Sequence, residues 1–537
     1  MTPSDDNEAL FIVDGDVASA ATWTDVSPEG FDETTYRRAF PDIARAIRAG
    51  EWRSALHHYR EFGEREGRLN DVRYRDAAMA LETADFPPTG IDTVFLSPTG
   101  RCLVIGWMND TAEPLSEVMI SSTAGRLAVL SGAARCRRED AEAVVAIHSG
   151  KLLGFWCLAQ IDPAGAGEPG LDITLAAGRQ RRSFPVTIRR TDDDRLRDMA
   201  LEYLAGAKYF SSPQVEAFIQ LDQGLGTAII ALNAAISRKI LAGAYTTRFG
   251  PQPASLDGSI IVCLFGKPEY LFLQAALFSA ARGAERYEFI YVSNSPELAE
   301  MLVKEATMAS RIYGLSITLI ILPGNAGFGA ANNCAVNAAR SSRILIVNPD
   351  VFPRDTDWAQ RHTALVRTLP ADQVALFGAP LYYDDGSLMH GGMFIDVDVG
   401  LSVRHDAIER REMLRVEHYG KGAPPDTAAY LASRPVPAVT GAFISADRTW
   451  FEQLGGFSLD YVMGHYEDAD LCLKSLVGGK PAWLHNLPFW HMEGKGSDRR
   501  FVHEGGSLVN RWYFTATWSG LVADGMGGPQ PPRLIRS

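Results

Sequence analysis

The stretch "GSIIVCLFGKPEYLFLQAALFSAARGAERYEFIYVSNS", residues 258–295, sets two unbroken apolar runs on either side of a helical segment. Such runs show no apolar–polar alternation, so they read as strands covered on both faces. A helix through "ELAEMLVKEATMASRIYG" follows, and "LSITLIILPG" and "SRILIVNPD" supply two more strands around the helical "GAANNCAVNAAR". Strand alternating with helix in this way predicts a mainly parallel sheet with helices on both faces. Ligands in such sheets sit beyond the carboxyl ends of the strands. That rule selects Gly266, Ser293, Asn294, Gly324, Asn325, and the turn from Asn348 to Asp350 before any chemistry is considered.

At 537 residues the chain is too long for one core, and several domains are expected. Residues 1–85 read as a polar tail and a small helical module, with apolar positions at helical spacing between Pro41 and Gly50 and again around Leu56. Its adjacent His57 and His58 have no carboxylate or cysteine set beside them, which favours packing over metal binding. Residues 86–190 change period: "RCLVIGWMN", "SEVMISS", "KLLGFWCLAQI" and "RSFPVTIRR" are short strands separated by turns, as in a β-sandwich. Residues 191–255 read as an alanine-rich helical connector, and 256–537 as the α/β domain with a C-terminal extension.

A net charge of -13 with no basic stripe argues against nucleic-acid binding. Apolar residues at 46% and charged residues at 22% describe a globular protein. The six cysteines form no CxxC pair and read as reduced core residues. "MTPSDDNEAL" lacks the basic start and apolar run of a secretory signal, and "LGTAIIALNAAI" (225–236) is too short to cross a bilayer. A cytoplasmic location is expected, with peripheral membrane contact left open.

Four segments carry candidate chemistry. In "IVNPD" the strand ends at Asn348, and Asp350 stands where an acid holds a divalent cation, although N-P-D is also an ordinary turn. In "NAGFGAANNCAVNAA" Gly327 permits close backbone approach before a helix, and Asn325 offers polar contacts to a nucleotide or a cap to the helix. No dinucleotide fingerprint and no phosphate-binding GxxxxGK[ST] loop is present. In "GHYEDADLCLKS" (464–475) Glu467, Asp468 and Asp470 fall in a first helical turn, which favours acids on its own. The same carboxylates could take a proton from a hydroxyl. Last, "PFWHMEGKGS" places His491 among aromatics and Lys495 between two glycines. His485 reads as structural.

Taken in order, "NAGFGAANNCAVNAA", "ILIVNPDV", "VTGAFISADRTWFEQLGGFSLDYVMGHYEDADLCLKS" and "FWHMEGKGS" resemble the family 2 glycosyltransferases of GT-A fold, in their bacterial rhamnosyltransferase-like branch. The likeness spans roughly 258–500. It implies a GT-A-type nucleotide-sugar-binding domain and an inverting, metal-dependent transferase. On that resemblance Asp350 and His491 bind Mn2+ or Mg2+, Asp468 is the general base, and Glu467 assists it. Gly266, Ser293, Asn294, Asn325, Gly327, Asn348, Gly441 and Lys495 would then lie on the donor side. The implied partners are a nucleoside-diphosphate sugar and a glycan, lipid-linked or protein-linked acceptor; self-association stays open. Asn348 replaces the first acid of the DxD motif, Ser293 replaces an acid after the second strand, and "GGFSL" carries Ser458 where an aspartate is usual. A catalytically silent glycan-binding scaffold, or another nucleotide-sugar enzyme, is the alternative.

Overall fold

The computed structural model describes residues 86–110, 114–122, 125–145, 152–162, 171–206, 212–370, 372–404, 407–492 and 501–526, with parts of 31–59. Two units are present, 1–82 and 83–537. In the first, helices Pro41–Arg48 and Ala55–His58 share a small core of Ile43, Ala55 and Tyr59. Glu33 accepts from the N–H groups of Ala55 and Leu56 at the second helix's start, where donors lack intrahelical partners. His58 is buried edge-on to Trp52.

The second unit opens with two sheets. One has the strand order 134–136, 154–160, 101–108, 89–96, 188–190; the other has 125–130, 115–122, 171–177, 180–186. The period of two explains their packing. Along Arg101–Met108, Cys102 and Val104 enter a core shared with Val118, Ile173 and Leu175 of the other sheet. Leu103 and Ile105 point the opposite way, into a core built with helices. Those helices are Asp193–Ala205, Pro213–Gln220, Gly226–Ala242 and the C-terminal Phe501–Leu521.

The apolar helical stretch is longer than its sequence suggests, running from Pro213 to Ala242. Gly224 breaks it with φ +91°, and Ile229, Leu232 and Ile236 are buried in the shared core with Trp156 and Val509. By length and composition alone it could span a membrane, and half of its apolar window is buried within the protein. Helices 193–205 and 501–521 meet so closely that a Cβ on Gly505 would lie 2.1 Å from the Leu201 carbonyl oxygen. Backbone cannot retreat as a side chain does. Gly505→Ala is therefore expected to destabilise the chain by about 1–3 kcal/mol. An unchanged thermal midpoint for the full-length variant would contradict this close packing.

The α/β domain is built on a nine-stranded sheet, ordered 245–249, 316–321, 287–293, 258–264, 343–347, 443–447, 376–378, 482–484, 434–436. Four neighbouring strands, 316–321 to 343–347, run parallel as expected. The sheet as a whole is mixed rather than mainly parallel, because Tyr245–Phe249, Phe443–Asp447 and Arg434–Val436 pair antiparallel with their neighbours. Tyr245–Phe249 also extends this sheet into the stretch expected to be connector. Alternate residues explain the two covered faces. Ile260, Val262, Phe289 and Tyr291 pack under helices Glu269–Ser279 and Ala299–Tyr313, whereas Ile261, Ile290 and Ile344 pack under Phe328–Ala338 and Glu467–Val477. A long hairpin, Met393–Arg404 with Ala407–His418, leaves the sheet and is tied to the C-terminal helix by Arg511.

Candidate active site

A cavity of about 1010 Å³ opens at the carboxyl ends of the parallel strands. On one side Asn294, just past strand 287–293, fixes the loop that follows strand 316–321. Its Oδ1 accepts from the Ala326 N–H at 3.0 Å, and its Nδ2 donates to the Gly327 carbonyl at 3.5 Å. Asn325 folds back to accept from the Gly327 N–H at 2.9 Å. Gly327 takes φ +87°, and a Cβ there would sit 3.1 Å from the Met463 carbonyl oxygen, so glycine is required twice over.

On the facing side a three-residue strand places the turn acid. Val351–Pro353 pairs antiparallel with Phe489–His491, and Val351 stands opposite His491. The Met492 N–H donates to the Asp350 carbonyl at 3.0 Å, and Asp350 Oδ1 lies 3.4 Å from His491 Nε2. Both side chains are buried in the wall. Asn348 is held through its backbone: its N–H donates to the Ala442 carbonyl, and its own carbonyl accepts from Gln274. Beside them His390 and His418 share a hydrogen bond, Nδ1 to Nδ1, at 2.8 Å.

The acid pair comes from the start of helix Glu467–Val477. Asp468 Oδ2 accepts from the Gly441 N–H at 2.7 Å, and its Oδ1 accepts from the Ala469 N–H at 2.8 Å. Glu467 is 5% exposed, and its buried Oε2 has no partner among the described residues. Burial, followed by the neighbouring Asp468 charge, holds the Glu467 carboxyl well above the ordinary glutamate range. Burial also raises Asp468, but the N–H groups of Gly441 and Ala469 oppose the shift by stabilising its anion. The two carboxyls therefore differ in environment: the Gly441 and Ala469 N–H groups favour an anion on Asp468, while burial and the adjacent charge disfavour one on Glu467. Asp470 turns away. Its carboxylate accepts from Trp518 Nε1 at 3.0 Å and pairs with Lys474 at 2.6 Å.

The approach to this helix is strained. Met463, His465 and Tyr466 all have positive φ, at 62°, 85° and 74°. Such values are rare outside glycine and concentrate at functional sites. Nothing in the sequence marks a histidine and a tyrosine for this conformation.

Of the residues selected from sequence, Asn294, Asn325, Asn348, Asp350, Gly441, Glu467, Asp468 and His491 line this one cavity. Gly266, Ser293 and Gly327 are not among its lining residues. The Gly266 N–H donates to Ser295 Oγ, and the buried Ser293 hydroxyl accepts from the Ser295 N–H and donates to its carbonyl. Lys495 lies outside the described residues. Among the described residues no group of three or more His, Cys, Asp or Glu is arranged to hold a metal ion. Asp350 and His491 pair an oxygen donor with an imidazole nitrogen; the carboxylate suits Mn2+ or Mg2+, while the imidazole is a poor ligand for Mg2+ and fits Mn2+ better, with ligand oxygens or water left to fill the other positions. The six thiols are all free.

The sheet and the crevice at its carboxyl ends, with acids gathered there, make a GT-A-like α/β domain. Residues 259–416 match the family model described as glycosyl transferase family 2. The chain is similar to an uncharacterized protein, y4gI, of Sinorhizobium fredii (strain NBRC 101917 / NGR234), with 27% identity over 194 residues, 34% of this chain. It spans only 20% of that relative's length. Among solved structures it is similar to the mannosyltransferase PcManGT from Pyrobaculum calidifontis in complex with GDP-Man and Mn2+. That match has 14% identity and a TM-score of 0.31, and covers 62% of this chain and 88% of the other. GalNAc-T7 with UDP, GalNAc and Mn2+ is similar at 12% identity and a TM-score of 0.33, covering 52% and 53% of the two chains.

Proposed function

We propose that this chain is an inverting, metal-dependent glycosyltransferase of the rhamnosyltransferase-like branch. It would move a sugar from a nucleoside-diphosphate donor to a hydroxyl of a glycan, free or carried on lipid or protein. The observation that supports this reading is the shared cavity: the Asp350–His491 pair and the Glu467–Asp468 pair line the same space. Among its described lining residues there is no lysine or arginine, while Asp350, Asp468 and Glu504 are acids, so a diphosphate there needs a cation beside it. Asp350 and His491 would hold Mn2+ or Mg2+, which when bound neutralises charge on the departing diphosphate.

The remaining work falls to this chain's own groups. Asp468 accepts the proton of the acceptor hydroxyl as its oxygen bonds to the anomeric carbon. The bond from that carbon to the phosphate oxygen breaks, and the nucleoside diphosphate leaves with the electron pair. Inversion follows from a single displacement, and no enzyme nucleophile is needed. Gly441 holds Asp468 by its N–H, and Glu467, whose neutral form burial favours, would donate to an acceptor oxygen. We read the two sheets between 86 and 190 as a β-sandwich module ahead of the transferase domain, and a cytoplasmic site of action is part of this reading.

The test is a panel of UDP-, GDP- and dTDP-sugars incubated with the full chain, with Mn2+ or with chelator, following released nucleoside diphosphate. Release from at least one donor, abolished by chelator, is expected. The acid limb of its pH profile should lie above the ordinary aspartate range of about 4, because burial raises Asp468 and activity is lost as pH falls through that raised value. Release from no donor would leave the glycan-binding scaffold as the better reading.

A further inference from the structure

We infer that Asn510, on the C-terminal helix, is a positioning residue that holds the strained approach to Asp468 in its active shape; the inference rests on the reading of Asp468 as the base. Asn510 is fully buried at 0% exposure, and all its polar atoms are directed at one short segment. Its Oδ1 accepts from the Val462 N–H at 2.7 Å. Its Nδ2 lies 2.9, 2.6 and 3.1 Å from the carbonyl oxygens of Val462, Gly464 and His465, so its two hydrogens serve three acceptors, one of them shared. One side chain therefore pairs the backbone of three residues that precede Glu467.

Those backbone groups need such a partner. Met463, His465 and Tyr466 sit in the left-handed region; the Met463 carbonyl accepts from Phe328 and the Tyr466 carbonyl from the Asp470 N–H, while Asn510 bonds the carbonyls of Gly464 and His465 between them. Val462, where the segment begins, is fully buried, and the Asn510 amide pairs both its N–H and its carbonyl. An asparagine amide supplies one acceptor and two donors, and both kinds are used. Aspartate has the same shape but no donor, and would set a carboxylate against three carbonyl oxygens.

The surroundings keep this contact in register. Gly506, one helical turn before Asn510, lets the helix approach until a Cβ would stand 3.3 Å from the Val462 carbonyl. Arg511, the next residue, bonds the Leu414 carbonyl of the hairpin at 2.9 Å, so the helix is anchored apart from the loop. From the other side the Phe328 N–H donates to the Met463 carbonyl at 2.6 Å. The strained loop thus joins the donor-side turn to the acid pair, and Asn510 fixes its course between them.

The experiment compares Asn510→Asp and Asn510→Ser with the unaltered full chain by hydrogen-exchange mass spectrometry and by kinetics on the best donor of the panel. Exchange across 462–468 is expected to rise at least tenfold while the central strands stay protected. The kcat should fall at least tenfold with the donor KM nearly unchanged, and the acid limb should move. Adding His465→Gly, which makes the positive φ inexpensive, should return part of the kcat lost in the Asn510→Asp variant. A purely structural role predicts instead uniform loosening of the fold, with no local change and no rescue. Either that pattern, or unchanged exchange at 462–468 in both variants, overturns the inference. If the unaltered chain turns over no donor, the transferase reading fails, while the exchange arm still decides whether Asn510 holds the loop.

Discussion

Asp468→Asn is expected to lower turnover by about 10²–10⁴-fold, the usual contribution of a general base, while leaving donor binding nearly intact. The substitution preserves shape and keeps one oxygen for the Gly441 N–H, which Asp468 Oδ2 now accepts at 2.7 Å. What it removes is the group able to take a proton. The acid limb of the pH profile should vanish with it, since that limb reports the raised Asp468 carboxyl. Glu467→Gln provides the contrast. Burial disfavours the charged form of the Glu467 carboxyl, and a glutamine keeps a neutral donor and acceptor in its place. It should cost far less than Asp468→Asn. Equal losses in the two variants, or undiminished turnover in Asp468→Asn, would end the assignment of the base.

The contrast between these neighbouring acids could not be read in "HYEDAD". Three carboxylates in a first turn look alike in sequence, and their roles separate only through what each one meets. Asp470 meets Trp518 and Lys474, Asp468 meets the Gly441 N–H, and Glu467 is buried beside the Asp468 charge. The four parallel strands were legible because strands covered on both faces are continuously apolar, as "IIVCL" and "RILIV" are. Direction is not encoded that way. Phe443–Asp447 reads as one more buried strand, and nothing in its composition says that it runs antiparallel to Arg343–Val347.

Polar residues at strand ends were legible in position but not in orientation. Ser293 and Asn294 are adjacent, yet only Asn294 reaches the cavity, while Ser293 is spent on the backbone of Ser295. The long hairpin shows the opposite failure. "FIDVDVGLSV" alternates at a period of two, but its distal apolar side chains, Val397, Val399 and Leu401, are exposed, so no buried face pointed to it. Asn510 carries no local signal at all. Its partners are distant in sequence, and an asparagine within "GGSLVNRWYF" is unremarkable until the helix is docked.

Asp350→Ala is expected to weaken binding of the nucleoside diphosphate in the presence of Mn2+ by about 100-fold, ~2.7 kcal/mol, when measured by calorimetry. In chelator the same substitution should change binding little, because the carboxylate acts on the diphosphate through the cation; by itself it repels one. The comparison with and without metal separates a lost ligand from a damaged fold. The fold has reason to survive, since the contact with Met492 uses the Asp350 backbone carbonyl rather than its side chain. His491→Ala should reproduce the metal dependence more weakly, as it removes a neutral donor and keeps the charge. Asn348→Asp argues the case from the other side. It supplies the acid that the turn lacks, adding a negative charge two residues from Asp350 in the same cavity wall, and should tighten Mn2+ binding. An Asp350→Ala chain that binds the diphosphate equally well with and without Mn2+, at the affinity of the unaltered chain, would remove the cation from the mechanism. The acidic cavity would then have to accommodate a diphosphate by some other route.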